Sequence, residues 1–172
     1  LTSAQAAEPS ATSGDFAGLI EIGGGRKLYL ECKGTGSPVV ILEAGLRNRA
    51  DIWSVKPDAG EAVFPRVAAF TRVCAYDRPG TTLGTDQFSR SDSVPMPRTA
   101  ADAVADLHAL LGAAAIPPPY VLAGHSTGGL ISRLYASTYP REVAGLVLVD
   151  AIPEGMQAAM TPDQWTVYNR LL

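Results

Sequence analysis

Apolar and polar residues alternate over residues 19–22 and again over 27–32, on either side of Gly23-Gly24-Gly25, which predicts a two-stranded hairpin with a glycine-made turn. Beyond residues 34–38 the pattern changes. Val39-Val40-Ile41-Leu42 is apolar throughout, the mark of a strand covered on both faces inside a parallel sheet. Residues 61–71 read as a helix whose first turns Pro65 disturbs, and Arg72-Val73-Cys74-Ala75-Tyr76 as a short strand ending at Asp77. Prolines and Ser, Thr and Asp residues dominate 81–98, a long irregular excursion of the kind that often carries function.

Thr99 followed three residues later by Asp102 predicts an N-cap and a helix to about Leu111, its less polar faces formed by Ala101, Val104, Ala105, Leu107, His108 and Leu111. Pro117-Pro118-Pro119 delivers the chain to Tyr120-Val121-Leu122-Ala123, residues 124–129 turn it, and 130–138 are helical until Pro140. Gly145-Leu146-Val147-Leu148-Val149 is one more fully apolar strand, and Thr161-Pro162-Asp163 opens a last helix with proline at its favoured first position. Strands alternating with helices at this spacing imply βαβ crossovers. The expected fold class is therefore α/β, a mostly parallel sheet with helices on both faces and an N-terminal antiparallel hairpin. No internal repeat appears, and no second domain boundary is drawn.

Composition excludes more than it assigns. With 172 residues, 47% hydrophobic and 18% charged, the chain can bury a real core within one domain. A net charge of −3, with no basic run interleaved with aromatics, argues against nucleic acid as a partner. No apolar stretch reaches the roughly 20 residues that span a bilayer, so no transmembrane segment is expected. The first residues contain Ala4-Gln5-Ala6, a small-x-small pattern like a signal-peptidase site, then a loose Ala/Ser/Thr/Pro stretch; secretion or attachment to the cell envelope is the expectation. Cys32 and Cys74 have no metal-ligand spacing, and no metal or other cofactor is expected. From the residues alone they are two buried thiols, or a single bridge if their strands are neighbours in an oxidising compartment.

The chemistry centres on Gly124-His125-Ser126-Thr127-Gly128, which fits G-x-S-x-G and lies where that motif has meaning, after a buried strand and at the opening of a helix. A sharp strand-to-helix turn strains the backbone at Ser126, tolerable because Gly124 and Gly128 let neighbouring chain approach. The hydroxyl is thereby lifted clear of the sheet as a candidate nucleophile. At a helix start the unpaired amides favour developing negative charge, so the N–H of Thr127 is a candidate oxyanion donor. The N–H of Leu46, in the loop Glu43-Ala44-Gly45-Leu46 after the third strand, is the expected second donor.

Residues 39–46, 73–80, 120–129 and 145–150 resemble successive blocks of the α/β-hydrolase superfamily, over about residues 19–152, and in wording most of all its secreted or membrane-associated actinobacterial members. The resemblance divides the chain into a loose tail over 1–17, a hydrolase core over 18–152, and the start of a lid over 153–172. It also implies that the second and fourth strands are neighbours, which would place Cys32 beside Cys74. Ala44-Gly45 stands where many relatives carry His-Gly, a departure that leaves the backbone donor intact. A second departure, Thr81-Thr82-Leu83-Gly84 in place of a small-residue turn ending in serine, alters the expected pocket wall.

A serine hydroxyl needs an adjacent base, which in this superfamily is a histidine after the last strand, oriented by an acid. After Ser126 the sequence has no histidine; its two are His108, within a helix, and His125, beside Ser126. Neither is expected to act as base: His125 projects away from its neighbour at the turn, and His108 reads as the satisfied flank of a packed helix. Asp150, directly after the sixth strand, is a candidate acid by resemblance, against the plainer reading of an aspartate that caps a turn. Asp77-Arg78 reads as a local turn and ion-pair feature.

The base is thus expected from a C-terminal segment beyond Leu172 or from a second chain. On that footing the expected function is serine-dependent hydrolysis of a small-molecule carboxylic ester, with a peptide-like substrate as the runner-up. The alternative from another class is a non-catalytic binding protein on a degenerate hydrolase scaffold. Serine at the elbow argues against the dehalogenase and epoxide-hydrolase chemistries of the same superfamily, which use a carboxylate nucleophile.

Overall fold

The computed structural model describes residues 14–83 and 86–171, so most of the predicted 1–17 tail lies outside the described residues. Six strands form the main sheet: β1 (Phe16–Glu21), β2 (Lys27–Lys33), β3 (Val39–Glu43), β4 (Val73–Tyr76), β7 (Tyr120–His125) and β8 (Val143–Val149). Their order is β1-β2-β4-β3-β7-β8. β1, β2 and β4 pair antiparallel, and β4, β3, β7 and β8 run parallel. The expected hairpin and parallel sheet are both present. The 81–98 excursion is less irregular than its composition implies, because β5 (Thr82–Leu83) and β6 (Asp86–Gln87) form a small antiparallel pair of their own.

Register explains why β3 is apolar on both faces. Ile41 lies opposite Cys74 and Leu122, whereas Leu42 lies opposite Ala75 and Ala123, so successive residues enter different cores. On one side α2 (Ala100–Ala113) and α3 (Thr127–Thr138) supply Leu107, Leu110, Leu111, Ile131 and Tyr135 to the core around Ile41 and Leu122. On the other, a 3₁₀ turn (Ala50–Ser54) and α1 (Val63–Ala68) bring Ala50, Trp53 and Phe64 against Leu42, Ala75 and Ala123. Each fully buried Leu or Ile of this kind contributes about 1.5–3 kcal/mol relative to exposure.

Thr99 caps α2 as the sequence predicts: its side chain accepts from the Asp102 amide while the Asp102 carboxylate accepts from the Thr99 amide, a complete capping box. The helix predicted over 61–71 is shorter, confined to α1. The last predicted helix is α5 (Pro162–Leu171), preceded by a single turn, α4 (Met156–Ala159). Cys32 and Cys74 face each other across the β2–β4 ladder and are joined by a disulfide. The apolar run of β8 is that of a covered strand, yet among the described residues β8 is the sheet edge, and Leu146, Val147, Leu148 and Val149 stay 40–49% exposed. No helix among the described residues is long and apolar enough to cross a membrane.

Candidate active site

β7 runs straight into α3 with one residue between them, Ser126, at φ 54 and ψ −121. That left-handed conformation is one L residues avoid, so the surrounding structure must hold it in place. β8 does so: the Ser126 N–H donates to Val149 O at 3.2 Å, and the Ser126 carbonyl accepts from the amides of Gly129 at 3.0 Å and Ile152 at 3.1 Å. The glycines make the bend possible. A Cβ at Gly124 would meet Gly128 O at 2.5 Å, and one at Gly128 would collide with Glu43 O and meet Ala44 O at 2.6 Å. Ser126 is half-buried, and its hydroxyl makes no helix-capping bond at the head of α3 among the described residues.

The loop after β3 lies against this serine. A Cβ on Gly45 would sit 3.3 Å from the Cβ of Ser126 and 2.9 Å from His125 Nδ1, so a side chain there would force His125 or Ser126 to shift. Leu46 and Thr127 line one cavity of about 440 Å³, whose other walls include Pro79, Met96, Ala103, Leu130 and Ile131. As first residue of α3, Thr127 has an N–H without an intrahelical acceptor, and its buried Oγ1 has no partner among the described residues. Both expected donors therefore belong to residues bordering the same cavity, which Ser126 adjoins through Thr127 without lining it itself.

Behind the loop is a buried polar cluster that the sequence reading missed. Glu43, 1% exposed at the end of β3, accepts from Tyr76 Oη at 2.5 Å and pairs with Arg78. Arg78 also donates through Nη1 to Ala44 O at 2.5 Å and through Nη2 to Gly45 O at 2.6 Å. Burial raises the Glu43 carboxyl above its ordinary range, partly offset by the Arg78 charge and the Tyr76 hydrogen bond. The reading of Asp77-Arg78 as a local ion pair is thereby corrected. Asp77 instead pairs with Arg90, at 2.7 Å, and accepts the Ala50 amide at 2.8 Å, while the Arg90 guanidinium covers the Tyr29 ring. A charged residue ending an otherwise apolar strand, as Glu43 does, was the available signal.

Neither histidine is hydrogen-bonded to Ser126 among the described residues. His108 stacks on Tyr139, with ring centroids 3.9 Å apart, and its Nε2 lies 3.2 Å from Glu142 Oε1. His125 instead lines a separate cavity of about 280 Å³ with Ile52, Trp53, Val55 and Val63. Asp150 follows β8 at φ 45, one residue past the Val149 carbonyl that holds the Ser126 amide; it is exposed, and its carboxylate has no partner among the described residues. Those residues also contain no group of three His, Cys, Asp or Glu side chains that could hold a metal ion.

The sheet order, the strained serine between β7 and α3, and the glycine loop pressed against it define an α/β protein with a sharp strand-to-helix turn at Ser126. The sequence profile of the alpha/beta hydrolase family matches residues 39–171, and the chain belongs to that family. It is 33% identical over 118 residues to the Bacillus subtilis protein YqjL, covering 69% of this chain and 41% of that one. It is 35% identical over 130 residues to the pimeloyl-[acyl-carrier protein] methyl ester esterase of Chromobacterium violaceum, covering 73% and 41%. Among solved structures it is similar to the esterase RhEst1 of Rhodococcus sp. ECU1013, with a TM-score of 0.63 and 26% identity over 79% of this chain and 46% of that one. The chain thus spans about two fifths of the length of these two curated relatives.

Proposed function

We propose that this chain carries the nucleophile and oxyanion hole of a serine hydrolase acting on small carboxylic esters. The observation that carries the reading is Ser126 itself, held at φ 54 with an uncapped hydroxyl, while its neighbour Thr127 and Leu46 both border one cavity. Ser126 Oγ attacks the carbonyl carbon as its proton passes to a base, and the carbonyl oxygen becomes an oxyanion held by the Thr127 and Leu46 amides. Collapse of that intermediate expels the alcohol, and water then releases the acid from the acyl-enzyme. The base is a histidine supplied by polypeptide outside these 172 residues, and Asp150 is the candidate acid within them. Pro79, Met96, Leu130 and Ile131 give the cavity apolar surface that suits an acyl group, beside the charged Arg47, Arg78, Arg98 and Asp106.

Fluorophosphonate capture tests the reading: Ser126 Oγ bonds to phosphorus, fluoride leaves, and the proton goes to the base. The full-length protein is expected to label, and Ser126→Ala to abolish labelling with the fold intact by circular dichroism. Unlabelled full-length protein would leave a binding scaffold as the better description.

The reading extends to an oxidising compartment, supported by the Cys32–Cys74 bridge. Protein recovered from outside the cytoplasm of its source cell should resist thiol alkylation until reduced. Free thiols in that material would refute the assignment.

A further inference from the structure

We infer that Arg78 is the positioning residue of the oxyanion hole, setting the direction of the Leu46 N–H through the backbone of the loop; this rests on the serine-hydrolase reading above. A counter-ion for Glu43 needs only one contact, and Arg78 makes three kinds. Its Nη1 serves both Glu43 and Ala44 O, and its Nη2 serves Gly45 O. The side chain is 12% exposed, and the residue also borders the 440 Å³ cavity that Leu46 and Thr127 line. Its planar fork thus grips two successive carbonyls, which a point charge does not do.

The consequence follows from peptide geometry. In a trans peptide the carbonyl and the next residue's N–H point to opposite sides of the chain. Fixing the Gly45 carbonyl on Arg78 therefore fixes the Leu46 N–H on the other side. The Gly45 carbonyl also accepts from the Asn48 amide at 3.3 Å, so two donors hold this peptide plane. Turned over, the same peptide would present a carbonyl dipole to the oxyanion in place of a donor. Gly45 is the residue that presses on Ser126, so rotation there is felt at the nucleophile directly. Glu43 pairs with Arg78, so the role assigned to Arg78 is a directional one, exerted through the two carbonyls it holds.

Two variants of the full-length protein separate this role from simple charge pairing. Arg78→Lys keeps a cation for Glu43 but loses the fork. The double variant Glu43→Gln/Arg78→Met removes the buried pair altogether, a change that proteins often accept without loss of stability. Both are expected to lower kcat, and the rate of fluorophosphonate capture with it, by about 10- to 100-fold, short of the loss of a whole oxyanion donor, while KM moves by less than about 3-fold.

A double variant that is folded and retains kcat within about 2-fold would reduce Arg78 to a counter-ion and overturn the proposal. A wild type that is never captured removes the serine-hydrolase reading itself, a distinct failure. Independently of any variant, a boronic acid that forms a tetrahedral adduct on Ser126 should move the Leu46 amide proton downfield. An unmoved Leu46 amide in a formed adduct overturns the proposal even where both variants fail to fold.

Discussion

Ser126 holds a backbone conformation that glycine adopts without cost and serine does not. At φ 54 and ψ −121 its Cβ is the source of the strain, and the bonds from Gly129 and Ile152 to its carbonyl hold it there. Two variants that both remove the hydroxyl should therefore differ in stability. Ser126→Gly is expected to be more stable than Ser126→Ala by about 1 kcal/mol, a difference of about 3 °C in Tm. Differential scanning calorimetry checks this, and equal midpoints would mean that the bend is not strained. The sharp turn at Ser126 was legible in the sequence because its parts are local: strand, glycine, serine, glycine and helix fall within a few residues. The grip of Arg78 on Ala44 and Gly45 was not, because its partners lie 33 and 34 residues away and nothing in the local pattern names them.

Among the elements, the loop after β4 depends on Asp77, which is wholly buried between Arg90, the Ala50 amide and the Arg90 amide. Burial pushes its carboxyl upward, but the Arg90 side chain and the two backbone amides outweigh that and hold it below the ordinary aspartate range. A carboxylate depressed in the folded state stabilises fully above its unfolded pKa of about 4, and that contribution fades as the pH falls through the lower folded value. Asp77→Asn is expected to cost about 3 kcal/mol at pH 7, since it leaves the Arg90 charge without its partner. Urea denaturation at pH 7 and again at pH 3 should show the gap between variant and wild type narrowing at the lower pH. A gap that is constant with pH would place the effect in packing rather than in charge.

That Asp77 pairs across 13 residues of loop also shows which elements sequence patterning could reach. The Thr99–Asp102 capping box announces α2 within four residues, and the continuous apolar run announces β3. The β5–β6 pair sits inside a proline- and serine-rich stretch whose composition spells loop, and its two residues per strand are too few to show a period. The Cys32–Cys74 bridge needed the strand order, which came from family resemblance and not from the residues themselves.

At the scale of the whole sheet, the described residues leave one edge well defended and one open. On the β1 side the edge strand alternates half-buried and exposed residues and carries Glu21. On the β8 side, Leu146 and Leu148 project from one face and Val147 and Val149 from the other, all substantially exposed, and no charged residue interrupts the strand. Edge strands of folded proteins are ordinarily blunted by charge, proline or a bulge, because unpaired backbone beside apolar side chains templates further pairing. The 172-residue chain prepared by itself should therefore self-associate in a concentration-dependent way. Val147→Lys, which sets a charge in the middle of that edge while leaving the β7 ladder in register, should shift the population toward monomer in light scattering coupled to gel filtration. A chain that is monomeric at high concentration, with the lysine variant indistinguishable from it, would show that the exposed β8 surface does not drive association.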